Sequence, residues 1–216
     1  MHFPTTPGLH DVEATLADGR AARYTLSVPA AVDGPPPLVL VLHYGGTPTR
    51  FYGRPLIEYL FEPALRALAP VLIAPESRHG QWHTEENEAF VMALLDGALA
   101  AYGADPARVV VAGYSMGAIG TWHFLEHYPE RFSAALPVAG YPQRELDTTL
   151  PVHAYHSDSD ELFPLGPLAA RLDALAAAGK PVTLTTAAVN GHFDVNGYAP
   201  TLAASAATWL RGVWGG

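Results

Sequence analysis

The chain contains no cysteine among its 216 residues. That excludes a disulfide framework and a thiol nucleophile, and it leaves the redox compartment open. Basic residues are scarce: 12 Lys and Arg stand against 21 Asp and Glu, a formal charge of −9. Such a balance disfavours nucleic acid or an anionic membrane surface as the main partner. The first eight residues lack a basic stretch followed by an apolar core, so no signal peptide is expected and a cytoplasmic location is the default. No apolar run reaches the length of a membrane span. Repeats, low-complexity tracts and linkers are missing too, which points to one domain over 1–216.

What is present is the composition of a packed α/β domain, 49% hydrophobic and 15% charged. Two short segments, Val12 to Leu16 and Arg23 to Val28, flank a turn signal at Asp18-Gly19 and predict a β-hairpin at a sheet edge. Leu38 to Leu42 is apolar throughout, as a strand buried on both faces should be. Arg54 to Ala69 predicts a helix with a break at Pro63, and Val71 to Ala74 a short buried strand. Glu85 to Tyr102 has helical periodicity closed by Gly103. A buried strand is expected from Val109 up to the pentapeptide that opens at Gly113, and further strands at Ala134 to Val138, Val152 to His156 and Val182 to Thr185. Helices are expected over Met116 to His127, Leu168 to Ala178 and Ala199 to Trp214. Strand and helix alternate from Leu38 onward, the pattern of a doubly wound parallel sheet with helices on both faces.

The chemistry centres on Gly113-Tyr114-Ser115-Met116-Gly117. A β-branched run ends abruptly there and a helix begins, so Ser115 is expected on a strained elbow with its hydroxyl clear of the strand end. The Met116 amide then opens a helix, where backbone donors and the dipole favour a developing oxyanion. A serine hydroxyl needs a base, and the base needs an orienting carboxylate. Both follow in the order expected of such a sheet. The loop after Val152 to His156 carries Asp158, Asp160 and Glu161, and Asn190-Gly191-His192 follows the last strand. His192 is the expected base, and the carboxylate is Asp158 or Asp160. A second oxyanion donor should come from the loop His43-Tyr44-Gly45-Gly46, with the amide of Gly45 or that of Tyr44 as the donor. His43 is expected to brace that loop and His156 the acid loop. His79 and His83 have the i, i+4 spacing of a metal pair, but no second ligand cluster accompanies them, so no metal is expected.

These motifs resemble the α/β-hydrolase superfamily over Leu38 to Trp209. Asp105 through Val109, the elbow through Trp122, and Tyr128-Pro129-Glu130-Arg131-Phe132 are similar to its phospholipase/carboxylesterase and feruloyl-esterase-like branch. The resemblance implies a mostly parallel sheet with an antiparallel N-terminal edge. In such enzymes the acid lies four residues before a proline, which selects Asp160 ahead of Pro164. It implies a Ser115, His192 and Asp160 triad, small-molecule ester substrates and no cofactor. Tyr44 departs from the family's usual glycine after the loop histidine, and Ala118 from a common glycine after the elbow. Only Gly140 to Leu150 separates two strands where caps commonly enter, so no cap domain and an open site are expected. Tyr44, Phe51, Tyr52, Trp82, Tyr114, Tyr141, Phe163 and Phe193 are expected to wall that site as an acyl or aryl subsite. Tyr44, Trp82, Tyr114 and Phe163 are the foremost of these. A thioesterase and a small peptidase of the prolyl-oligopeptidase kind share the elbow and triad, and a non-catalytic binding module would share the fold.

Overall fold

The computed structural model describes residues 1–15, 19, 21–30, 33–47, 49–78, 80–144 and 147–215. Eight strands form one sheet: β1 Gly8–Thr15, β2 Ala21–Val28, β3 Leu38–Leu42, β4 Val71–Pro75, β5 Val109–Tyr114, β6 Ala134–Val138, β7 Val152–His156 and β8 Val182–Thr186. Their order across the sheet is β1-β2-β4-β3-β5-β6-β7-β8. β1 pairs antiparallel with β2, and β2 antiparallel with β4. All remaining pairs are parallel, as the alternation of strand and helix signals requires. Of the hairpin turn signal Asp18-Gly19, Asp18 lies outside the described residues.

The five strands β3 to β7 are buried at every position. Such strands need cover on both faces, and two apolar clusters supply it. One packs α3 (Glu85–Tyr102), α4 (Met116–His127) and α5 (Leu165–Ala177) against the sheet through Phe90, Leu94, Phe124 and Leu168. On the other face lie α1 (Arg54–Leu56), α2 (Glu62–Leu65) and α6 (Ala199–Val213), through Leu56, Leu65, Leu202 and Leu210. No helix among the described residues is long and apolar enough to cross a membrane. Between β6 and β7 the described residues form no helix or strand.

β1 begins at Gly8 rather than Val12, with the expected end at Leu16 outside the described residues, and two helices also change at their boundaries. The single helix over Arg54 to Ala69 is instead α1, a π-turn at Ile57–Phe61, α2 and a 3-10 turn at Arg66–Leu68. Pro63 has no N–H to give to the carbonyl four residues back, and its ring crowds that carbonyl, so a wider turn precedes it. α5 begins at Leu165 rather than Leu168. Gly166 and Pro167 read as breakers, yet proline is tolerated in a helix's first turn, where N–H groups lack partners anyway.

Candidate active site

The elbow is built from what its glycines leave out. A Cβ on Gly113 would stand 2.3 Å from the Gly117 carbonyl oxygen, and one on Gly117 only 1.9 Å from that of Leu42. Neither position accepts a side chain, so strand β5 and helix α4 can close on each other. Between them Ser115 adopts φ 56° and ψ −117°, a conformation that costs a non-glycine residue about 1–3 kcal/mol. Its amide donates to the Val138 carbonyl at 2.9 Å, and its own carbonyl accepts the Ile119 amide at 3.0 Å. The surrounding ladder thus imposes the strain and leaves Oγ projecting at the strand's carboxyl end.

His192 lies on the loop after β8, with Nε2 2.8 Å from Ser115 Oγ. Its Nδ1 donates to Asp160 Oδ2, also at 2.8 Å. Because a carboxylate can only accept, Nδ1 carries the proton and Nε2 presents its lone pair to the serine hydroxyl. Asp160 is 4% exposed, and its other oxygen accepts the amides of Leu162 and Phe163 at 3.0 and 2.8 Å. Asp158, by contrast, is exposed and takes a bond from the Ser159 hydroxyl. The geometry therefore brings together Ser115, His192 and Asp160 and leaves Asp158 outside.

The acid loop has its own internal brace. His156 Nε2 donates to the Phe163 carbonyl at 2.6 Å, while its buried Nδ1 meets no partner among the described residues. Burial lowers the proton affinity of this imidazole, which keeps it neutral beside Asp160. Glu161 points the other way along the loop: its Oε2 accepts the His192 backbone N–H at 2.7 Å. The hydroxyl of Tyr114 donates to the His192 carbonyl.

The second half of the site is the loop after β3. His43 Nε2 accepts the Ser77 amide at 2.9 Å, and Nδ1 donates to the Tyr44 carbonyl at 2.7 Å. One partner can only donate and the other only accept, so the tautomer is fixed. Burial pushes this imidazole down to about 4, and it stays neutral at ordinary pH. In a trans peptide the N–H points opposite to the C=O. Anchoring the Tyr44 carbonyl on His43 therefore turns the Gly45 amide away from that ring. Gly45 neighbours Met116: a Cβ on it would lie 3.7 Å from Met116 Cβ and Sδ. Both expected oxyanion donors thus belong to adjoining residues, at the mouth of α4.

The aromatic set divides. Trp82, an expected wall residue, is 1% exposed and lies beneath the loop. Its indole N–H donates to the His43 carbonyl at 2.9 Å and its ring packs edge-on against His43 at 4.9 Å. A buried indole needs an acceptor, and here the acceptor is a carbonyl of the loop after β3. Tyr114 is buried as well, ringed by Tyr44, His192 and Tyr198. It supports the site rather than lining it. Tyr44 is half-buried against Tyr52, with ring centroids 4.9 Å apart. Half-buried Phe163 has its ring 5.2 Å from both His192 and Tyr141. Phe193 is 77% exposed and edge-on to His192. Of the expected wall, Tyr44 and Tyr52 on one side and Tyr141, Phe163 and Phe193 on the other are half-buried or exposed; Phe51 is half-buried too, with its amide donating to Glu76. Sequence reasoning missed the roles of Ser77 and Glu161, whose bonds span 34 and 31 residues and leave no local signal. Of the pair His79 and His83, His79 lies outside the described residues. No group of His, Asp and Glu among the described residues is arranged to hold a metal ion.

No protein-family model matches the chain. A stretch of 48 residues, 22% of this chain, is 40% identical to an uncharacterized secreted protein of Arthroderma benhamiae, of which it covers 5%. Among solved structures, a thermostable esterase superposes with a TM-score of 0.73 at 23% identity, over 94% of this chain and 62% of that one. A ferulic acid esterase gives a TM-score of 0.73 at 14% identity, covering 97% of this chain and all (100%) of the other. S-formylglutathione hydrolase from Staphylococcus aureus gives 0.71 at 13% identity, over 94% and 98% of the two chains. At these identities the likeness shows a shared architecture: the chain has the α/β-hydrolase fold, with an antiparallel edge on a mostly parallel sheet.

Proposed function

We propose that this chain is a serine hydrolase of carboxylic esters, acting on small or aryl esters in an open site. The observation that carries the reading is the relay Ser115 Oγ, His192 Nε2, His192 Nδ1, Asp160 Oδ2, with both links at 2.8 Å and the serine on a strained elbow. In the first half-reaction His192 Nε2 takes the Ser115 proton as Oγ bonds to the ester carbonyl carbon. The carbonyl oxygen becomes an oxyanion, held by the Met116 and Gly45 amides. Collapse breaks the bond to the alcohol oxygen, which leaves with the proton carried by His192. In the second half a water gives its proton to His192 and attacks the acyl carbon. Ser115 then leaves with that proton, and a carboxylic acid is released. Asp160 stays ionised throughout and stabilises the imidazolium. These steps call on no metal or organic cofactor.

The names of the esterases and of the ferulic acid esterase that share the fold support an ester substrate, and the half-buried Tyr44 and Phe163 support an acyl or aryl subsite. A thioester is the second reading, favoured by the likeness to S-formylglutathione hydrolase, and it uses the same atoms. The test is a series of p-nitrophenyl esters of increasing acyl length with methyl ferulate and a matched thioester, run on the protein and on Ser115→Ala. Turnover that vanishes in the variant, with Ser115 labelled stoichiometrically by an organophosphate, is expected. A variant as active as the parent, or a parent that neither turns over nor labels, would overturn the reading. Faster cleavage of a peptide amide than of its ester would favour a peptidase instead.

A further inference from the structure

Residue 192 is gripped at three points, and only one of them is its side chain. Nδ1 is held by Asp160, the backbone N–H by Glu161 Oε2 at 2.7 Å, and the backbone carbonyl by the Tyr114 hydroxyl. Asp160 and Glu161 are consecutive, so the acid loop holds both the ring and the main chain of the base. Tyr114 precedes the nucleophile directly. We propose that Glu161 is a positioning residue for the base: through the His192 amide it sets where the imidazole stands relative to Ser115. The inference rests on the hydrolase reading above for its catalytic meaning.

Three observations favour this over a casual surface contact. Glu161 sits on the exposed rim, so it contributes no core packing that would explain its place. Gly191 has φ +107°, and a Cβ there would lie 2.8 Å from Glu161 Oε2, so the carboxylate occupies space that only glycine leaves free. The Glu161 carboxyl is also held below its usual range, first by the bond from the His192 amide, although the Asp160 charge opposes it. The fixed N–H outweighs the neighbouring like charge. Glu161 itself is bonded to the main chain of His192, so its effect on the chemistry passes through that backbone.

The experiment compares Glu161→Ala with Glu161→Gln, whose amide oxygen still accepts an N–H. Steady-state kinetics on a soluble p-nitrophenyl ester are read beside hydrogen exchange of the His192 amide by NMR. A displacement of order 1 Å at a reacting group can cost about 100-fold in rate, so Glu161→Ala should lose about 10- to 100-fold in kcat at little-changed KM. Glu161→Gln should restore most of that loss. The His192 amide should exchange faster in the alanine variant and near the parental rate in the glutamine one. Equal losses in both variants would mean that charge rather than the accepted hydrogen bond matters, and would refute the proposal. So would unchanged kcat or unchanged exchange in Glu161→Ala. Should the parent lack Ser115-dependent turnover, the hydrolase reading fails by itself. The positioning role falls with it, while the exchange comparison still reports whether Glu161 holds the loop.

Discussion

Replacing Asp160 by Asn tests the relay through a geometric constraint particular to this loop. Oδ1 of Asp160 accepts two backbone amides, from Leu162 and Phe163, at 3.0 and 2.8 Å. An asparagine must keep its carbonyl oxygen there, because turning the NH2 toward two N–H donors would leave all of them unpaired in a buried site. Its NH2 then faces His192 Nδ1, where Oδ2 stood at 2.8 Å. A donor in that place forces Nδ1 to accept, and the ring proton moves to Nε2. The nitrogen facing Ser115 Oγ can no longer take its proton. In serine proteases this tautomer switch costs about 10⁴ in kcat, which at about 1.4 kcal/mol per tenfold is roughly 5.5 kcal/mol of transition-state stabilisation. Asp160→Asn should therefore lose about that factor on a p-nitrophenyl ester, with its thermal transition nearly intact. Asp158→Asn should stay within about twofold, since Asp158 bonds only the adjacent Ser159 hydroxyl among the contacts described for it. Comparable losses in the two variants would refute the assignment of the acid. So would an Asp160→Asn enzyme within about tenfold of the parent, because then the amide turns over or the tautomer is immaterial.

Trp82→Phe removes the bond to the His43 carbonyl and part of a buried ring beneath the loop, so it should lower kcat a few-fold, with some loss of stability, and leave KM for an aryl ester unchanged. A raised KM at constant kcat would return Trp82 to the substrate wall. Gly117→Ala, with its Cβ 1.9 Å from a backbone oxygen, should not yield soluble folded protein. A well-folded Gly117→Ala would mean that the elbow relaxes. Stability should fall on acidification, because burial pushes His43 and His153 from 6.5 down to about 4. With the folded value depressed, the unfolded chain takes up protons first as pH drops below 6.5, so the loss accrues between about 6.5 and 4. At pH 5 that is on the order of 2 kcal/mol per histidine relative to about pH 7.5, by urea unfolding. His153→Asn should flatten the slope by about that amount; an unchanged slope would show His153 to be irrelevant to it.

The sequence is most legible where one force dominates. β3, β5 and β6 are apolar runs because the parallel sheet buries both their faces; β3 and β6 have the limits expected of them, while β5 continues two residues into the elbow motif, to Tyr114. The places of Ser115 and His192, the expected nucleophile and base, are legible for a related reason, since strand-to-loop transitions announce where a side chain can stand free. Depth is not legible. Trp82 and Tyr114 sit beside loop ends in sequence, as a substrate wall would, but a partner from a distant segment covers each one. The choice between Asp158 and Asp160 needs the resemblance, since both occupy the same loop. What separates them is which carboxylate the Leu162 and Phe163 amides capture.

Register explains how groups 77 and 32 residues apart meet at hydrogen-bond distance. Leu42 pairs with Gly113, Tyr114 with Val138, Val138 with Tyr155, and His156 with Thr186. The carboxyl ends of β3, β5, β6, β7 and β8 therefore finish nearly level, and the loops with Gly45, Ser115, Asp160 and His192 start from one shelf. Slipping a parallel strand by one residue would displace its loop by about 3.3 Å and turn its buried side chains to the opposite face. A hydrogen bond tolerates a few tenths of an ångström. The apolar packing of these strands and the alignment of the relay are thus one constraint. Repacking of β7 or β8 that preserves stability but shifts register should abolish turnover while every triad residue remains present.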